Sequence, residues 1–543
     1  MGTRYTRWAA SALLIGLAAG GMTACSSEEE GGADTSSQSK GAMEDYAAGT
    51  TFKASEPLDF SLLYMDQPSY PYKDNWLLWE HIKETTNVSL DPTIVPMSDY
   101  SQKRSLLISS GEAPLILPKT YPGEETPFVS SGAVLPISDY VDQMPHYTEK
   151  VEKWGLEENL DSLRQEDGRY YVLPGLHEEV WQDYTLAVRT DIFEENSIAI
   201  PTTWDELLAS LEELKEIYPD KYPYSERFEA NSALNIAGVN YGTSAGWGYG
   251  NGLAYDQDAD SFSYTATTDE YKELLEYFNS LVSSGVMDPE SFTQSDEQAV
   301  QKFVSGESFV ISANSQNIVS YRQSMDETLG KDNYAVSKIN IPSGPAGNLI
   351  GGSRLENGLM LSAEAAERDD FTALLQFIDW LYYSDEGQEF SKWGVEGTTF
   401  EKDASGKRTL MPEINYNGLN PAGTKDLRTE YGFSGGVFAY GGTTELLQSM
   451  MSEEELEFQA LMAEKDNVQT DPPVPFSDTD REQATLLSTP LKDAVDQETL
   501  KFILGSRPLS EFDDFTAELE AKGMDRYLDM ANEAYQSYKE TTK

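Results

Sequence analysis

The chain has 543 residues, of which 93 are acidic and 39 are basic, giving a formal net charge of −54. This charge repels phosphate groups and argues against nucleic acids or anionic membrane surfaces as ligands. With 39% hydrophobic and 11% aromatic residues, the chain is expected to be globular, and it is long enough for two lobes or three domains.

The N-terminus has the pattern of an export signal. Arg4 and Arg7 precede an apolar run, Trp8 to Ala19, that is too short to span a bilayer. The next segment, Met22-Thr23-Ala24-Cys25, resembles a bacterial lipobox, with Met22 where leucine is usual and with the only cysteine of the chain at its end. We expect residues 1–24 to be a signal peptide and Cys25 to be lipidated. An ordinary signal peptide followed by an unmodified cysteine is the alternative.

Residues 25–52 are rich in Ser, Gly, Glu and Ala and contain almost no large apolar side chain. Such a composition buries too little surface to offset the entropy cost of ordering, so we predict a flexible tether. The protein would then be held at the extracellular face of the cell membrane by lipid alone.

Strands alternate with amphipathic helices after the tether. The predicted order is a strand over 58–65, a helix through Trp76 and Ile82, a strand over 88–95, a helix ending at Gly111 and a strand over 113–117. This order is typical of a mainly parallel sheet that is covered on both faces. Ligands of such sheets bind at the carboxyl ends of strands, where Asp66, Lys119 and Tyr121 lie.

Further helices are well specified. Thr203 is predicted to cap a helix over 204–217, with Glu206 as its reciprocal partner in a capping box. A second helix is predicted to begin at Thr268 and to end before Gly285. Two more helical patterns cover 371–382 and 510–538.

Several short phrases follow one another in a characteristic order: Ser109–Pro114, Leu135–Tyr140, Arg169–Gly175, Val188–Phe193, Gly285–Glu290, Asp385–Gly387, Trp393–Gly397 and Phe502–Gly505. Together with the lipobox, this order resembles the extracellular family-1 solute-binding lipoproteins of bacterial carbohydrate importers. The resemblance extends over nearly all of the chain that follows Cys25.

The resemblance implies an α/β protein of two lobes, the type II periplasmic-binding-protein-like fold, with a sugar cleft between lobes joined by hinge strands. It implies a monomer that closes on a sugar, delivers it to the transmembrane subunits of an ABC permease, and needs no cofactor. We expect an N-lobe of 53–178 with 355–395 and a C-lobe of 179–354 with 396–543. Extended segments at 170–174 and 184–188 would form the hinge.

Aromatic rings and polar groups are the expected sugar contacts. Trp247 and Tyr249 lie in a glycine-rich segment, 240–252, where no regular element buries them, although Trp247 folded back on its own loop is an alternative. Tyr440 lies in a second such segment, which is either a cleft wall or a plain loop. The other candidates are Trp181 at the hinge, Trp393, and Arg354 with Glu356 after Gly351-Gly352-Ser353.

Relatives that bind uronic-acid polymers have a calcium loop after the helix that matches 204–217. Residues 218–226 lack the alternating oxygen ligands and the glycine of such a loop, so we predict no metal there and a neutral oligosaccharide as ligand.

The rival class is a surface-anchored enzyme. Residues 242–246 match Gly-x-Ser-x-Gly, but no helix follows, and His81, His146 and His177 all precede Ser244. An esterase is therefore disfavoured. A glycoside-active enzyme needs only two carboxylates and is the alternative that stays open.

Overall fold

The computed structural model describes residues 38–541. Cys25, the predicted signal peptide and the first part of the predicted tether lie outside this range. Within it, no helix combines the length and the apolar character that a bilayer span requires.

The strands are β1 Leu58–Asp66, β2 Val88–Pro96, β3 Ile116–Thr120, β4 Leu173–Leu176, β5 Thr185–Val188, β6 Leu253–Asp256, β7 Ser261–Tyr264, β8 Val310–Ala313, β9 Ser337–Lys338, β10 Leu349–Ile350, β11 Leu355–Leu361, β12 Phe400–Lys402, β13 Arg408–Leu410, β14 Ile414–Asn415, β15 Lys425–Asp426 and β16 Asp466–Asn467.

The helices are α1 Leu77–Thr86, α2 Tyr100–Ser110, α3 Thr126–Val129, α4 Pro145–Trp154, α5 Glu157–Asp161, α6 Thr190–Glu195, α7 Trp204–Ile217, α8 Asn231–Asn240, α9 Asp269–Ser283, α10 Asp296–Val304, α11 Ser315–Met325, α12 Phe371–Tyr383, α13 Asp385–Trp393, α14 Leu427–Tyr431, α15 Thr444–Ser449, α16 Glu453–Met462, α17 Asp478–Ile503, α18 Phe512–Ala521 and α19 Met524–Thr541.

The N-lobe contains a five-stranded sheet of order β2-β1-β3-β11-β4. Strands β2, β1 and β3 are parallel, and β11 runs antiparallel to both of its neighbours, β3 and β4. Four of the five strands therefore run in one direction, as predicted for a mainly parallel sheet, and β11 alone is reversed. Strand β3 begins later than predicted and continues through Pro118, which is accommodated beside a register shift in β11. Both proline residues of β2 lie on an edge strand, where no ladder hydrogen bond is lost on the open side.

The C-lobe is built on a three-stranded antiparallel sheet, β8-β5-β9. Successive residues of β5 point to opposite faces, so Leu186 and Val188 enter one core and Ala187 enters another. The larger core is covered by α7, α9 and α17, and the smaller one by α10 and α11. Thr203 caps α7 as predicted, but Glu206 reaches back to Thr202 instead of Thr203, so the box is only half formed.

The chain crosses between the lobes near residues 177–183, 351–354 and 451–452. This path corrects the predicted boundary after residue 395. Phe400, Leu410, Phe433 and Leu446 pack in the N-lobe core, and the chain returns to the C-lobe core only at Phe458. We therefore assign 38–176 with 355–450 to the N-lobe and 184–350 with 453–541 to the C-lobe.

Residues 38–52 pack on the N-lobe, so the prediction of a flexible tether is wrong for them. Phe52 is completely buried, and Tyr46 donates a 2.9 Å hydrogen bond to Oδ2 of Asp379. His146 accepts a hydrogen bond from the Gly49 amide and contacts the same carboxylate through Nδ1. The packing depends on a few large side chains, such as Phe52 and Tyr46. The average composition of residues 25–52 is dominated by small and polar residues and therefore does not reveal it.

Candidate functional site

A cleft of 2050 Å³ lies between the two lobes. The N-lobe contributes the end of β3, part of β11, the segment 405–421 and the segment 434–439. The C-lobe contributes residues of α11, β9 and the first turns of α16. The cleft is therefore an interlobe site whose walls come from segments far apart in the chain.

Glu356 is the best-anchored carboxylate of the N-lobe wall. Its Oε2 lies 3.0 Å from Nε2 of His177 and accepts a 2.9 Å hydrogen bond from the Gly441 amide. Burial by itself would raise the pKa of Glu356, but the hydrogen bond and charge of His177, with the charge of Lys392, lower it to about 2. Glu356 is thus an ionised acceptor that is held in one orientation.

Lys119 is held in an unusual backbone conformation on the same wall. Its φ is 54°, in the left-handed region that a non-glycine residue adopts only where the surroundings fix it. Its amide donates to the hydroxyl of Tyr440 at 2.9 Å, and its carbonyl accepts a 2.6 Å hydrogen bond from Arg104. Burial lowers the pKa of the Lys119 ammonium, with Glu356 opposing the effect.

The Lys119 side chain lies over Gly436 and the Tyr440 ring. A Cβ at Gly436 would come within 2.9 Å of Lys119 Nζ, and Nζ lies 5.5 Å from the centroid of Tyr440. The lack of a side chain at Gly436 therefore creates the space in which the ammonium sits.

Lys392 is a second buried cation that lines the cleft. It is 5% exposed, and its Nζ donates to the Ala439 carbonyl at 2.7 Å. Burial lowers the pKa of Lys392 to about 8, with Glu356 opposing this shift.

Cations of the C-lobe wall are paired. Lys338 forms an ion pair with Glu455 at 2.9 Å, and Arg322 forms a two-pronged contact with Glu454 at 2.7 and 2.9 Å. Asp183 accepts from Asn314, and burial raises the pKa of Asp183 to about 6.

Aromatic side chains line the cleft from several directions. Tyr121 is 54% exposed, and Trp181 lies 6.2 Å from the His177 ring. Arg428 lies between Tyr70 and Tyr416, with its guanidinium carbon 5.2 Å from each ring centroid. Rings beside fixed charges are the combination that binds sugars, whose C–H faces stack on rings while their hydroxyls bond to polar groups.

The predicted ligand residues separate into two groups. The residues that line the cleft are Lys119, Tyr121, Trp181, Glu356 and Trp393. Tyr440 lies directly behind Lys119, and Trp393 is 2% exposed with its indole N–H bonded to Ser449, so only its edge reaches the cleft.

Three other predicted residues have local structural contacts. Asp66 accepts a 2.7 Å hydrogen bond from the Tyr72 amide, closing a turn. Arg354 donates to the carbonyls of Trp154 and Glu178, bracing one of the interlobe crossings. Tyr249 is 4% exposed in the larger C-lobe core, because its glycine-rich segment folds onto α9 instead of projecting. Asp66, Arg354 and Tyr249 are not among the residues that line the cleft.

Trp247 does not line the cleft but lies on the C-lobe beside it. It is 48% exposed and packs on Tyr184 and Phe228, with centroid distances of 5.2 and 4.9 Å. Phe228, with the two residues that follow it, has positive φ in a strained turn. Tyr184 directly follows Asp183 of the cleft, so Trp247 lies close to the rim.

Sequence reasoning missed His177, Asp183, Arg322, Lys338 and Arg428. The pairs that hold them bridge distant parts of the chain, as in Arg322 with Glu454, and no local pattern marks them. Tyr416 is different, because it lies in the segment Asn415-Tyr416-Asn417-Gly418. The Asn-Gly pair predicts a turn, and a turn at this position would expose the tyrosine ring.

Residues 218–226 follow α7, at the position where relatives have a calcium loop. Two residues of this segment contact the side chain of Lys215. Lys215 donates a 2.7 Å hydrogen bond to the Lys221 carbonyl and lies over the Tyr222 ring. Across residues 38–541, no group of three His, Cys, Asp or Glu side chains is arranged to hold a metal ion.

The fold and the cleft define a two-lobed α/β binding protein with its ligand site between the lobes. Residues 79–404 match the family of bacterial extracellular solute-binding proteins, and the chain belongs to this family. Members of the family act outside the cytoplasm.

Three similar proteins illustrate the family's range. The fructooligosaccharide ABC transporter substrate-binding protein FusA of Streptococcus pneumoniae serotype 4 is 21% identical, over 98% of this chain and 99% of its own. The polygalacturonan/rhamnogalacturonan-binding protein YtcQ of Bacillus subtilis is 23% identical, over 63% of this chain and 66% of its own. The crystal structure of the alginate-binding protein AlgQ2 without calcium superposes with a TM-score of 0.69 at 16% identity, covering 90% of this chain and 99% of that one.

Proposed function

We propose that the protein is the substrate-binding subunit of an ABC-type importer and captures an extracellular oligosaccharide in the interlobe cleft. The observation that carries this proposal is the cleft itself, in which Tyr121 and Trp181 lie beside the oriented carboxylate of Glu356. FusA, which aligns along nearly the whole chain, has the same kind of activity by its name. Lobe closure would present the loaded protein to the permease.

The volume of the cleft favours a chain of sugars over a single ring. At 2050 Å³ it exceeds the usual size of small-molecule sites, which is about 300–1,000 Å³. Trp247 would extend the binding surface beyond the rim for longer ligands, since its exposed face has no partner ring outside Tyr184 and Phe228 among the described residues. We propose Lys119, Tyr121, Trp181, Glu356 and Trp247 as ligand contacts.

The decisive experiment is a panel of oligosaccharides screened by thermal shift and calorimetry, with each mixture also assayed for new reducing ends. A binding subunit raises its melting temperature with the correct sugar and leaves the sugar intact. A panel that produces neither a shift nor heat contradicts the proposal.

A glycoside-active enzyme is the second candidate, and one observation favours it. Asp183 and Glu356 both line the cleft, and their pKa values are displaced in opposite directions, to about 6 and about 2. Such divergence is the pattern of an acid and base pair. Turnover that disappears in both Asp183→Asn and Glu356→Gln would establish the enzyme and overturn simple capture.

We further propose that a lipid on Cys25 holds the protein, as a monomer, at the extracellular face of the membrane. The lipobox-like Met22–Cys25 supports this proposal. Cys25→Ala should release the protein into the medium with its sugar affinity unchanged. Retention of the variant in the membrane fraction would contradict the proposal.

A further inference from the structure

The cleft differs in charge from the rest of the protein. Basic and acidic side chains line it in nearly equal number, although the chain as a whole has 39 basic and 93 acidic residues. Cations are therefore concentrated around the ligand site.

The two walls use these cations differently. On the C-lobe wall, Arg322 and Lys338 are neutralised by direct ion pairs with Glu454 and Glu455. On the N-lobe wall, no carboxylate of residues 38–541 lies within ion-pair distance of Lys119 or Lys392. Glu356, the acidic group that influences both lysines, is bonded instead to His177 and Gly441. The N-lobe residues that line the cleft include five cationic side chains, Lys119, Lys392, Lys407, Arg408 and Arg428, against two carboxylates, Glu356 and Glu445, so this wall has an excess of positive charge.

The unpaired state of Lys119 is maintained by the fold. Its backbone is fixed in a strained conformation by Tyr440 and Arg104, and Gly436 leaves room for its Nζ. Within the described part of the chain, this Nζ makes no hydrogen bond, although Lys392 has the Ala439 carbonyl. A partly buried ammonium that has only the Tyr440 ring beside it is costly, because burial removes solvation that no hydrogen-bond acceptor replaces. A ligand that carries a negative charge would supply the missing partner.

We propose that the cleft recognises an acidic oligosaccharide, in which a singly charged carboxylate or sulfate group on one sugar pairs with Nζ of Lys119. The inference rests on the proposed function and narrows its ligand class. A negatively charged group would give Lys119 Nζ an ionic partner, whereas a neutral sugar leaves the ammonium with hydroxyl acceptors only. The ligand class differs from the neutral sugar predicted from the absent calcium loop.

The test compares acidic sugars with neutral sugars of matched size by calorimetry. Trigalacturonic acid is paired with galactotriose, 3′-sialyllactose with the neutral trisaccharide 3′-galactosyllactose, and lactose 3′-sulfate with lactose. The wild-type protein should bind at least one acidic member about tenfold to hundredfold more tightly than its neutral partner, as expected for one charge-assisted hydrogen bond. The sialylated and sulfated arms identify which anionic group is preferred.

Lys119→Met keeps the length of the side chain and removes its charge, so it should abolish this preference. Lys83→Met is the matched control, since Lys83 is exposed and does not line the cleft. Melting temperatures of the free variants verify that both are folded.

The outcomes separate the inference from the function on which it rests. Equal binding of acidic and neutral partners, tighter binding of the neutral ones, or a preference that survives in Lys119→Met overturns the inference and leaves oligosaccharide capture standing. Failure of every sugar in this and the wider panel to bind overturns both.

Discussion

Arg428 of the N-lobe donates a hydrogen bond to Oε1 of Gln316 in the C-lobe, at 3.2 Å across the cleft. The guanidinium is oriented for this contact by the rings of Tyr70 and Tyr416 on either side of it. The bond connects the two walls directly, independently of any ligand.

Gln316→Ala should therefore shift the free protein toward an open form. Loss of one partly exposed hydrogen bond to a charged group costs about 1 kcal/mol, equivalent to about fivefold weaker sugar binding. Small-angle scattering of the free variant should show a larger radius of gyration than the wild type. Asn417→Ala removes a contact of Arg428 within the N-lobe and is the control, with no expected expansion. Equal expansion of the two variants would mean that the Gln316 bond has no special effect on closure.

Trp181 and Trp247 should differ in their dependence on ligand length. Trp181→Ala removes a ring from within the cleft and should weaken binding of every oligosaccharide ligand by about 1–3 kcal/mol. Trp247→Ala removes a ring near the rim and should weaken only the longer ligands. Calorimetry with one ligand series of increasing length distinguishes the two sites. A uniform loss in Trp247→Ala would instead place this residue at the main site.

Glu356 should stabilise the folded protein at neutral pH and lose this effect in acid. Its pKa in the folded protein is lowered from the ordinary value of 4.5 to about 2. A depressed carboxyl pKa stabilises the folded state above the unfolded pKa, and this contribution is lost as pH falls from about 4.5 toward 2. The melting temperatures of wild type and Glu356→Gln should differ at pH 6 and converge as the pH falls toward 2. A difference that is constant with pH would show that Glu356 acts through packing alone.

Substitution of Gly436 and Gly441 by alanine should affect different properties: Gly436→Ala should weaken ligand binding, and Gly441→Ala should lower the free energy of unfolding. Gly436→Ala would meet only the flexible end of Lys119, at 2.9 Å, so we expect a normally folded protein with a displaced lysine and weaker ligand binding. Gly441→Ala places a Cβ against the Leu176 carbonyl at a φ of 53°, where neither backbone can move easily. Its expected cost is about 2 kcal/mol or more of unfolding free energy. Urea unfolding and calorimetry measure the two effects, and a destabilised Gly436→Ala would contradict the assignment.

Residues 38–52 should be required for the stability of the N-lobe. The reference for this test is a chain that begins at residue 38. A chain that begins at residue 53 loses buried Phe52 and the hydrogen bonds of Tyr46, and should be less stable by about 3 kcal/mol or more. Equal melting temperatures for the two truncations would restore the interpretation of this segment as a tether.

The sequence predicts well those features that are determined locally. The apolar alternation of β1 and the Thr203 cap of α7 were recognisable because neighbouring residues specify them. The expectation that the site lies at strand ends directed attention to Lys119 and Tyr121, which line the cleft.

Features that depend on distant pairing were not predictable. Nothing local indicates that Phe433 and Leu446 pack in the N-lobe core, since this core also contains strands from the beginning of the chain. The glycine-rich context of Tyr249 suggested exposure, but tertiary packing buries its ring. Helix α17 contains Pro490, which ordinarily ends a helix, and its 26 residues therefore escaped prediction.

The position of β11 in the N-lobe sheet has a consequence for the order in which the protein can fold. This strand lies between β3 and β4 but follows both in the chain by more than a hundred residues, after the whole C-lobe sheet. During synthesis and export, β3 therefore has one unsatisfied edge, and β4 has no sheet partner, until residue 361 has emerged. Vectorial folding of the N-lobe is excluded, and the chain must keep two strands from pairing wrongly while its second half arrives.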